Sequence, residues 1–295
     1  MKNIETRLTE IITPRRFVLR AIYFGKKKPR DLFIYIHGLG GNMFLHADFV
    51  ASLTGRHSAA LTFNNRGFGI VNTVKHFKPG KVAVRKSVVI GGAHEVFTDC
   101  VDDIDGAVRW AKAAGAKNIY LIGHSTGCQK SIYYLSKRPQ SPVRGVILLA
   151  PISDYSDSYL HSHKQAYRRA LALARKMIKS GRKHELMPVS AWPHIFDAQR
   201  WLSLFTPDSQ EEIFSYFTGR RPSALLANKK PVLAVLAEKD EFGDRPAGEI
   251  ADWFRGVLTG RRLRAEVIKA ATHGFSENFP ALRKLILAWS SSLSR

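Results

Sequence analysis

Short apolar segments that alternate with helical patterns constrain the fold of this chain more strongly than any other feature. Four of these segments are DLFIYIHG (31–38), KNIYLIGHS (117–125), VRGVILLAP (143–151) and PVLAVLAEKD (231–240). Continuous apolar runs of this length are typical of parallel strands that are buried on both faces. Because helical segments separate them, the sequence predicts an α/β fold with a mostly parallel central sheet flanked by helices.

Further strands and helices are predicted around these segments. The alternating run at 17–24 indicates an antiparallel strand at the start of the sheet. Apolar runs predict two more strands at 58–65 and 263–270, and the stretch from 66 through Gly92 is predicted to be a Gly-punctuated loop. Helices are predicted near 44–53, 98–115, 126–137, 247–258 and 277–293.

The second of these helices is predicted to begin at Thr98. The Thr98 hydroxyl is a suitable N-cap, and the positive end of the helix dipole favours Asp99, Asp102 and Asp103 in the first turns. Gly115 is predicted to end the helix, because glycine readily adopts the left-handed conformation found there.

The strand–helix alternation stops after Pro151 and resumes at 231. The intervening residues include a helix with Tyr167, Ala170, Leu171, Ala174 and Ile178 on one side and basic residues on the other. We therefore predict that 152–230 form a helical cap, or lid, inserted over the carboxyl edge of the sheet. Residues 1–151 and 231–295 are predicted to form one α/β core.

The sequence GHSTG (123–127) matches the G-x-S-x-G pattern of a nucleophile elbow. The match alone is weak evidence, because glycine and serine are common in this chain. Its position strengthens it: an apolar strand runs directly into the pattern and a helix follows, which is the strand–turn–helix arrangement that the elbow requires. This placement makes Ser125 a candidate nucleophile.

A serine hydroxyl needs a general base, and the base needs a carboxylate that orients it. In folds with this elbow the chain order is serine, acid, histidine. Asp240 follows the strand at 231–240, and His273 follows the strand at 263–270. Both therefore occupy positions that the order demands, with Glu241 and Asp244 as rival acids in the same loop.

An ester-like carbonyl that is attacked by serine also needs backbone donors for its oxyanion. One is expected to be the N–H of Thr126, the residue after the candidate nucleophile. The second is expected in the Gly-rich bend HGLGGN (37–42), where we assign the N–H of Leu39.

Bulk properties narrow the remaining classes of function. The formal net charge is +22, but no helix-turn-helix or other nucleic-acid motif accompanies it, so nucleic-acid binding is not expected. Cys100 and Cys128 match no metal-binding spacing, and neither a metal nor an organic cofactor is predicted. No apolar stretch is long enough to span a membrane and no signal peptide is recognisable, so the expected compartment is the cytoplasm. The sequence does not predict an oligomeric state.

Several motifs taken together resemble a group of α/β hydrolases that is long catalogued as a domain of unknown function. The motifs are HGLGG (37–41), TFNNRG (62–67), TDCVDDIDGAV (98–108), GHSTGCQ (123–129), HELMP (184–188), DAQRWLSL (197–204) and AEKDEF (237–242). Fungal members of this group are similar to siderophore-cleaving esterases. The resemblance implies carboxylic-ester hydrolysis through an acyl-enzyme, with a triad of Ser125, Asp240 and His273 and a small-molecule ester as substrate.

Three alternatives stay open at this point. The same triad is compatible with cleavage of a lactone, an amide, a thioester or a carbon–carbon bond, because the fold hosts all of these reactions. A non-catalytic basic binding module is an alternative of another class. Within the esterase interpretation, the basic side of the cap helix is either a solvated face or an attractor of acidic substrates. That side comprises Arg168, Arg169, Arg175 and Lys179.

Overall fold

The computed structural model describes residues 4–78, 81–260 and 263–293, and these form a ten-stranded mixed sheet with helices on both faces. The strands are β1 (Thr6–Ile12), β2 (Phe17–Phe24), β3 (Asp31–Ile36), β4 (Ser58–Phe63), β5 (Asn72–Lys78), β6 (Lys81–Ile90), β7 (Asn118–His124), β8 (Val143–Leu149), β9 (Val232–Ala237) and β10 (Leu263–Ile268). Their order across the sheet is β10-β9-β8-β7-β3-β4-β2-β5-β6, and β1 pairs with β2.

Helices cover the sheet because each presents an apolar face to it. The helices are α1 (Ala47–Ser52), α2 (Cys100–Ala113), α3 (Thr126–Lys137), α4 (Asp154–His161), α5 (Lys164–Lys179), α6 (Ala198–Phe205), α7 (Ser223–Ala227), α8 (Ala247–Val257) and α9 (Phe279–Ser292). Apolar side chains of α1 and α9 pack in the core on one face of the sheet, and those of α2, α3 and α8 pack in the core on the other.

The parallel part of the sheet runs from β10 to β4 and positions the loops that carry the candidate site. Its neighbouring strands pair in parallel throughout. Nearly every residue of β3, β7, β8 and β9 is buried, as their continuous apolar sequences predict. Parallel strands end at the same edge, so the loops that follow them meet there.

The prediction of a loop between 66 and Gly92 is wrong over most of its length. β5 and β6 form an antiparallel hairpin at the edge of the sheet, and β5 also pairs with β2. β1, which pairs antiparallel with β2, is a further strand that was not predicted. Strands near a sheet edge tolerate charged residues, and the apolar run that marks a buried strand is absent from the sequences of β5 and β6.

The predicted N-terminus of α2 is also wrong. The helix begins at Cys100, so Thr98 is not its N-cap, although Gly115 follows its end with φ +87° as predicted. The acidic residues of this region surround a buried guanidinium, that of Arg66. Its partners are Asp99, Asp102 and Asp103, at 3.1, 3.1 and 2.7 Å. The acidic residues at the start of α2 therefore serve mainly as ion-pair partners of Arg66, more than as charges that interact with the helix dipole.

Residues 152–230 contain α4, α5, α6 and α7 and have an apolar cluster of their own between α5, α6 and the loop that joins them. Members of that cluster include Tyr167, Ala170, Ala174, Met177, Trp192, Phe196, Trp201 and Phe205. Tyr167, Ala170 and Ala174 are buried as predicted, whereas Ile178 is exposed and Met177 takes its place. Among the helices of the described residues, none has the length and apolarity to cross a membrane.

Candidate active site

Ser125 lies at the turn between β7 and α3, with φ 54° and ψ −128°. A positive φ is strained for a residue other than glycine, and such strain is concentrated at functional sites. The turn is also tight: a Cβ at Gly123 would lie 2.3 Å from the Gly127 carbonyl oxygen, and a Cβ at Gly127 would lie 2.1 Å from the Ile36 carbonyl oxygen. The strand–turn–helix arrangement expected around Ser125 is therefore present, and it depends on glycine at both positions.

Asp240 and His273 are brought together because β9 and β10 are neighbouring parallel strands. The Nδ1 atom of His273 lies 2.9 and 3.0 Å from the two carboxylate oxygens of Asp240. Of the rival acids, Glu241 accepts a hydrogen bond from the His273 backbone N–H at 3.0 Å, and Asp244 pairs with Arg245 at 3.0 Å. Among these three acids, Asp240 is the one that contacts the imidazole.

Ser125 and His273 line the same cavity, which has a volume of about 610 Å³. Ser125 is half-buried, and His273 is only 8% exposed. The Ser125 hydroxyl has no hydrogen-bond partner among the described residues. In serine hydrolases the bond between nucleophile and base often tightens only when substrate binds. A ligand bound in this cavity could therefore contact both the candidate nucleophile and the candidate base.

The two candidate oxyanion donors lie at the same end of the sheet. Leu39 borders the cavity, and Thr126 is the first residue of α3, where a backbone N–H has no partner within the helix. Within the described chain neither N–H donates to another group. Gly38 brings the loop close to the turn, since a Cβ added at Gly38 would lie 2.8 Å from the Ser125 Cβ.

Two further histidines for which no role was predicted lie near His273: the buried His124, whose ring is 5.0 Å from that of His273, and the partly buried His46. His124 Nε2 donates a hydrogen bond to the His273 carbonyl oxygen at 2.9 Å, and the His46 ring lies 4.9 Å from the His124 ring. Burial, and then the nearby His273, lowers the pKa of His124 to about 3 and that of His46 to about 4. Both rings are thus neutral near pH 7. His124 lies in the GHSTG motif, but the pattern G-x-S-x-G assigns no role to that position, and none of the quoted motifs contains His46.

The remaining cavity wall comes largely from residues 152–230. Ile152, Ile195, Phe196 and Phe205 supply its apolar part, and two carboxyl groups from α4 lie among them. The basic residues of α5 are exposed, and none of them lines this cavity; Arg175 borders a different one. Of the two alternatives for these residues, the solvated face agrees with the structure, because the other side of α5 packs inward and leaves them facing solvent.

The two cysteines are buried free thiols. Cys128 lies under the turn, with Sγ 3.2 Å from the Gly123 carbonyl oxygen and 3.3 Å from that of Leu149. In the part of the chain that the structure describes, no three His, Cys, Asp or Glu side chains are placed to hold a metal ion together.

Comparison with known proteins gives the family and the fold. The profile of the DUF1749 family, described as a protein of unknown function, matches residues 84–287. A search of curated proteins found no match.

Solved structures resemble the chain over nearly its whole length. A carboxyl esterase from Bacillus coagulans has a TM-score of 0.66 at 11% identity, covering 99% of each chain. The α/β hydrolase GrgF from Penicillium sp. sh18 has a TM-score of 0.66 at 14% identity, covering 99% of this chain and 98% of that one. Est1E from Butyrivibrio proteoclasticus, bound to ferulic acid, has a TM-score of 0.64 at 16% identity, covering 97% and 98%. The predicted α/β-hydrolase fold is thereby confirmed, and the chain belongs to the DUF1749 family.

Proposed function

We propose that this protein is a serine hydrolase that cleaves carboxylic esters. The observation that carries the proposal is the Asp240–His273 pair in the wall of the cavity that also contains Ser125 on its strained turn. The description of one structural neighbour as a carboxyl esterase supports an ester as the bond that is cleaved. We further propose that residues 1–151 and 231–295 form the catalytic core and that 152–230 form a cap, because this segment lines the cavity with apolar side chains.

The geometry supports a reaction in two halves. His273 Nε2 takes the proton from the Ser125 hydroxyl as the oxygen attacks the ester carbonyl, and the N–H groups of Leu39 and Thr126 stabilise the oxyanion. His273 then returns that proton to the departing alkoxide, which leaves as the alcohol, and Ser125 stays acylated. Water repeats the sequence on the acyl-enzyme and releases the carboxylic acid. Asp240 holds Nδ1–H throughout and stabilises the imidazolium.

A fluorophosphonate probe tests the nucleophile. We expect the wild-type protein to be labelled at one serine, identified by mass spectrometry of peptides, and Ser125→Ala to show no labelling. Ser180→Ala, which changes an exposed serine after α5, is the matched control and should label like wild type. Equal labelling of Ser125→Ala and wild type would exclude Ser125 as the nucleophile.

The bond that is cleaved is tested by a panel of 4-nitrophenyl esters, lactones, thioesters and anilides. Turnover of the esters, lost in Ser125→Ala, is expected. If a lactone, thioester or anilide were hydrolysed and no ester were, the proposed substrate would change to that class of compound. If no substrate were hydrolysed and the probe labelled no serine, the result would favour a non-catalytic binding module.

Gly38→Ala should lower kcat about a hundredfold, because a displacement of about 1 Å of a reacting group costs roughly that factor. The added Cβ would lie 2.8 Å from the Ser125 Cβ and 3.1 Å from the His124 carbonyl oxygen, so either the loop or Ser125 must move. Gly248→Ala is the control, since a Cβ there meets no atom within 4 Å. Initial rates with an ester that the panel identifies provide the measurement, and a wild-type kcat for Gly38→Ala would contradict the proposed packing.

A further inference from the structure

The cavity at Ser125 has an acidic wall in a strongly basic protein. Asp154 and Asp157 of α4 both line it, whereas none of its lining residues is a lysine or arginine. The two aspartates lie three residues apart on the helix, so their side chains share one face. The charged side chains that line the cavity are therefore acidic, although the formal net charge of the chain is +22.

Neither carboxylate forms an ion pair with a lysine or arginine among the described residues. One oxygen of Asp154 accepts a hydrogen bond from Gln129 Nε2 at 2.8 Å, and one oxygen of Asp157 contacts His161 Nδ1 at 2.7 Å. Asp154 and Asp157 are both partly buried, and carboxylates that are withdrawn from water are normally compensated by a cation or by several donors. Here each has one side-chain contact, which leaves oxygen lone pairs for a further donor.

The surroundings of α4 favour the neutral form of both carboxyl groups. Burial, and then the nearby Glu211, raises the pKa of Asp154 well above its ordinary value. Burial likewise raises the pKa of Asp157. A cation bound in the cavity would offset the cost of ionising both groups, so binding of a cation and loss of their protons would favour each other.

A second acceptor without a partner belongs to a residue that borders the same cavity. His124 borders the cavity and is 6% exposed, and its Nε2 donates to the His273 carbonyl oxygen. The other ring nitrogen, Nδ1, therefore carries a lone pair, and it has no partner among the described residues. Because burial keeps this ring neutral near pH 7, Nδ1 can accept a hydrogen bond but cannot donate one.

The wall thus combines two carboxyl groups that no lysine or arginine pairs with and an apolar surface from Ile152, Phe196 and Phe205. We propose that the ester substrate of this cavity carries an ammonium group on an apolar chain, with the ammonium bound at Asp154 and Asp157. An ammonium group has three N–H donors, and a hydrocarbon chain fits the apolar side chains beside α4. This inference rests on the proposed ester hydrolysis and specifies its substrate class.

Matched substrates test the proposal. We would compare 4-nitrophenyl esters of ω-amino acids with esters of equal chain length that end in methyl or in carboxylate, over several lengths. A second set, butyrates of ω-amino alcohols and of the corresponding alkanols, places the ammonium on the alcohol side. In at least one of the two sets, kcat/KM should be at least about tenfold higher for the ammonium ester than for the methyl ester. The ester that ends in carboxylate should have the lowest kcat/KM.

Variants show whether the aspartates cause that preference. Asp154→Asn with Asp157→Asn keeps the side-chain shapes and should remove the ammonium preference, so that the ratio of kcat/KM for the ammonium ester to kcat/KM for the methyl ester falls at least about tenfold. Asp252→Asn, which removes one exposed carboxylate on α8, should retain the preference. Equal rates for ammonium and methyl esters in both sets, or a preference that survives the double substitution, would overturn the inference. If the wild-type protein hydrolysed none of the esters, that result would instead contradict the proposed function itself.

Discussion

Asp240→Asn should lower kcat for ester hydrolysis about 10⁴-fold and leave the fold unchanged, by analogy with the magnitude known for the acid of serine-protease triads. Both oxygens of Asp240 lie within 3.0 Å of His273 Nδ1, so the carboxylate fixes the tautomer in which Nε2 is free to take a proton. An asparagine that donates to Nδ1 from its amide would favour the opposite tautomer. The measurement is kcat with an ester substrate, beside circular dichroism spectra of both proteins.

The rival acids provide the controls for this prediction. Asp244→Asn removes a carboxylate from the same loop that contacts Arg245 and not the imidazole, so kcat should fall far less than in Asp240→Asn. Glu241→Gln keeps an oxygen that can accept a hydrogen bond from the His273 backbone N–H, so this substitution should also lower kcat only slightly. If Asp244→Asn or Glu241→Gln lost activity by orders of magnitude while Asp240→Asn did not, the acid would have to be reassigned.

The elements that form the candidate triad could be predicted from sequence because each follows a strand of the parallel sheet. Strands of that kind are buried on both faces, so their sequences are continuous apolar runs that stand out from the rest of the chain. Parallel strands bring their following loops to one edge, and this is why Ser125, Asp240 and His273, far apart in sequence, were expected together. The structure places Asp240 and His273 in contact and puts His273 and Ser125 in one cavity.

Features that depend on pairing between distant residues could not be predicted. Nothing near Arg66 in sequence indicates that it meets three carboxylates of another segment, so Asp102 and Asp103 were assigned to the helix dipole. The acidic wall escaped prediction for a similar reason: which face of α4 borders the cavity is set by tertiary packing. The basic face of α5 is conspicuous in the sequence, but it faces solvent.

Arg200→Met should destabilise the protein by about 3–5 kcal/mol, which is the usual cost of leaving a buried charge without its partner. Arg200 of α6 is fully buried and pairs with Glu95 at 2.8 Å and with Glu211 at 2.5 Å. Glu95 also pairs with Lys130 of α3 at 2.6 Å. Burial alone would raise the pKa of Glu95, yet Lys130 and Arg200 hold it below its ordinary value, so this carboxylate is charged and depends on both cations.

The same network joins the segment 152–230, which contains Arg200 and Glu211, to the core, which contains Glu95 and Lys130. Urea unfolding followed by circular dichroism gives the free energy of unfolding. In a background in which Trp110, Trp253 and Trp289 are replaced by phenylalanine, tryptophan fluorescence reports on Trp192 and Trp201 of the segment 152–230. Arg182→Met, in the same segment, is the control: its partner Glu185 is exposed and 3.4 Å away, so the loss should be below about 1 kcal/mol. A similarly small loss for Arg200→Met would mean that the buried pairs do not hold this segment on the core. A fluorescence transition at lower urea than the circular dichroism transition, in Arg200→Met alone, would show that the segment is released before the sheet unfolds.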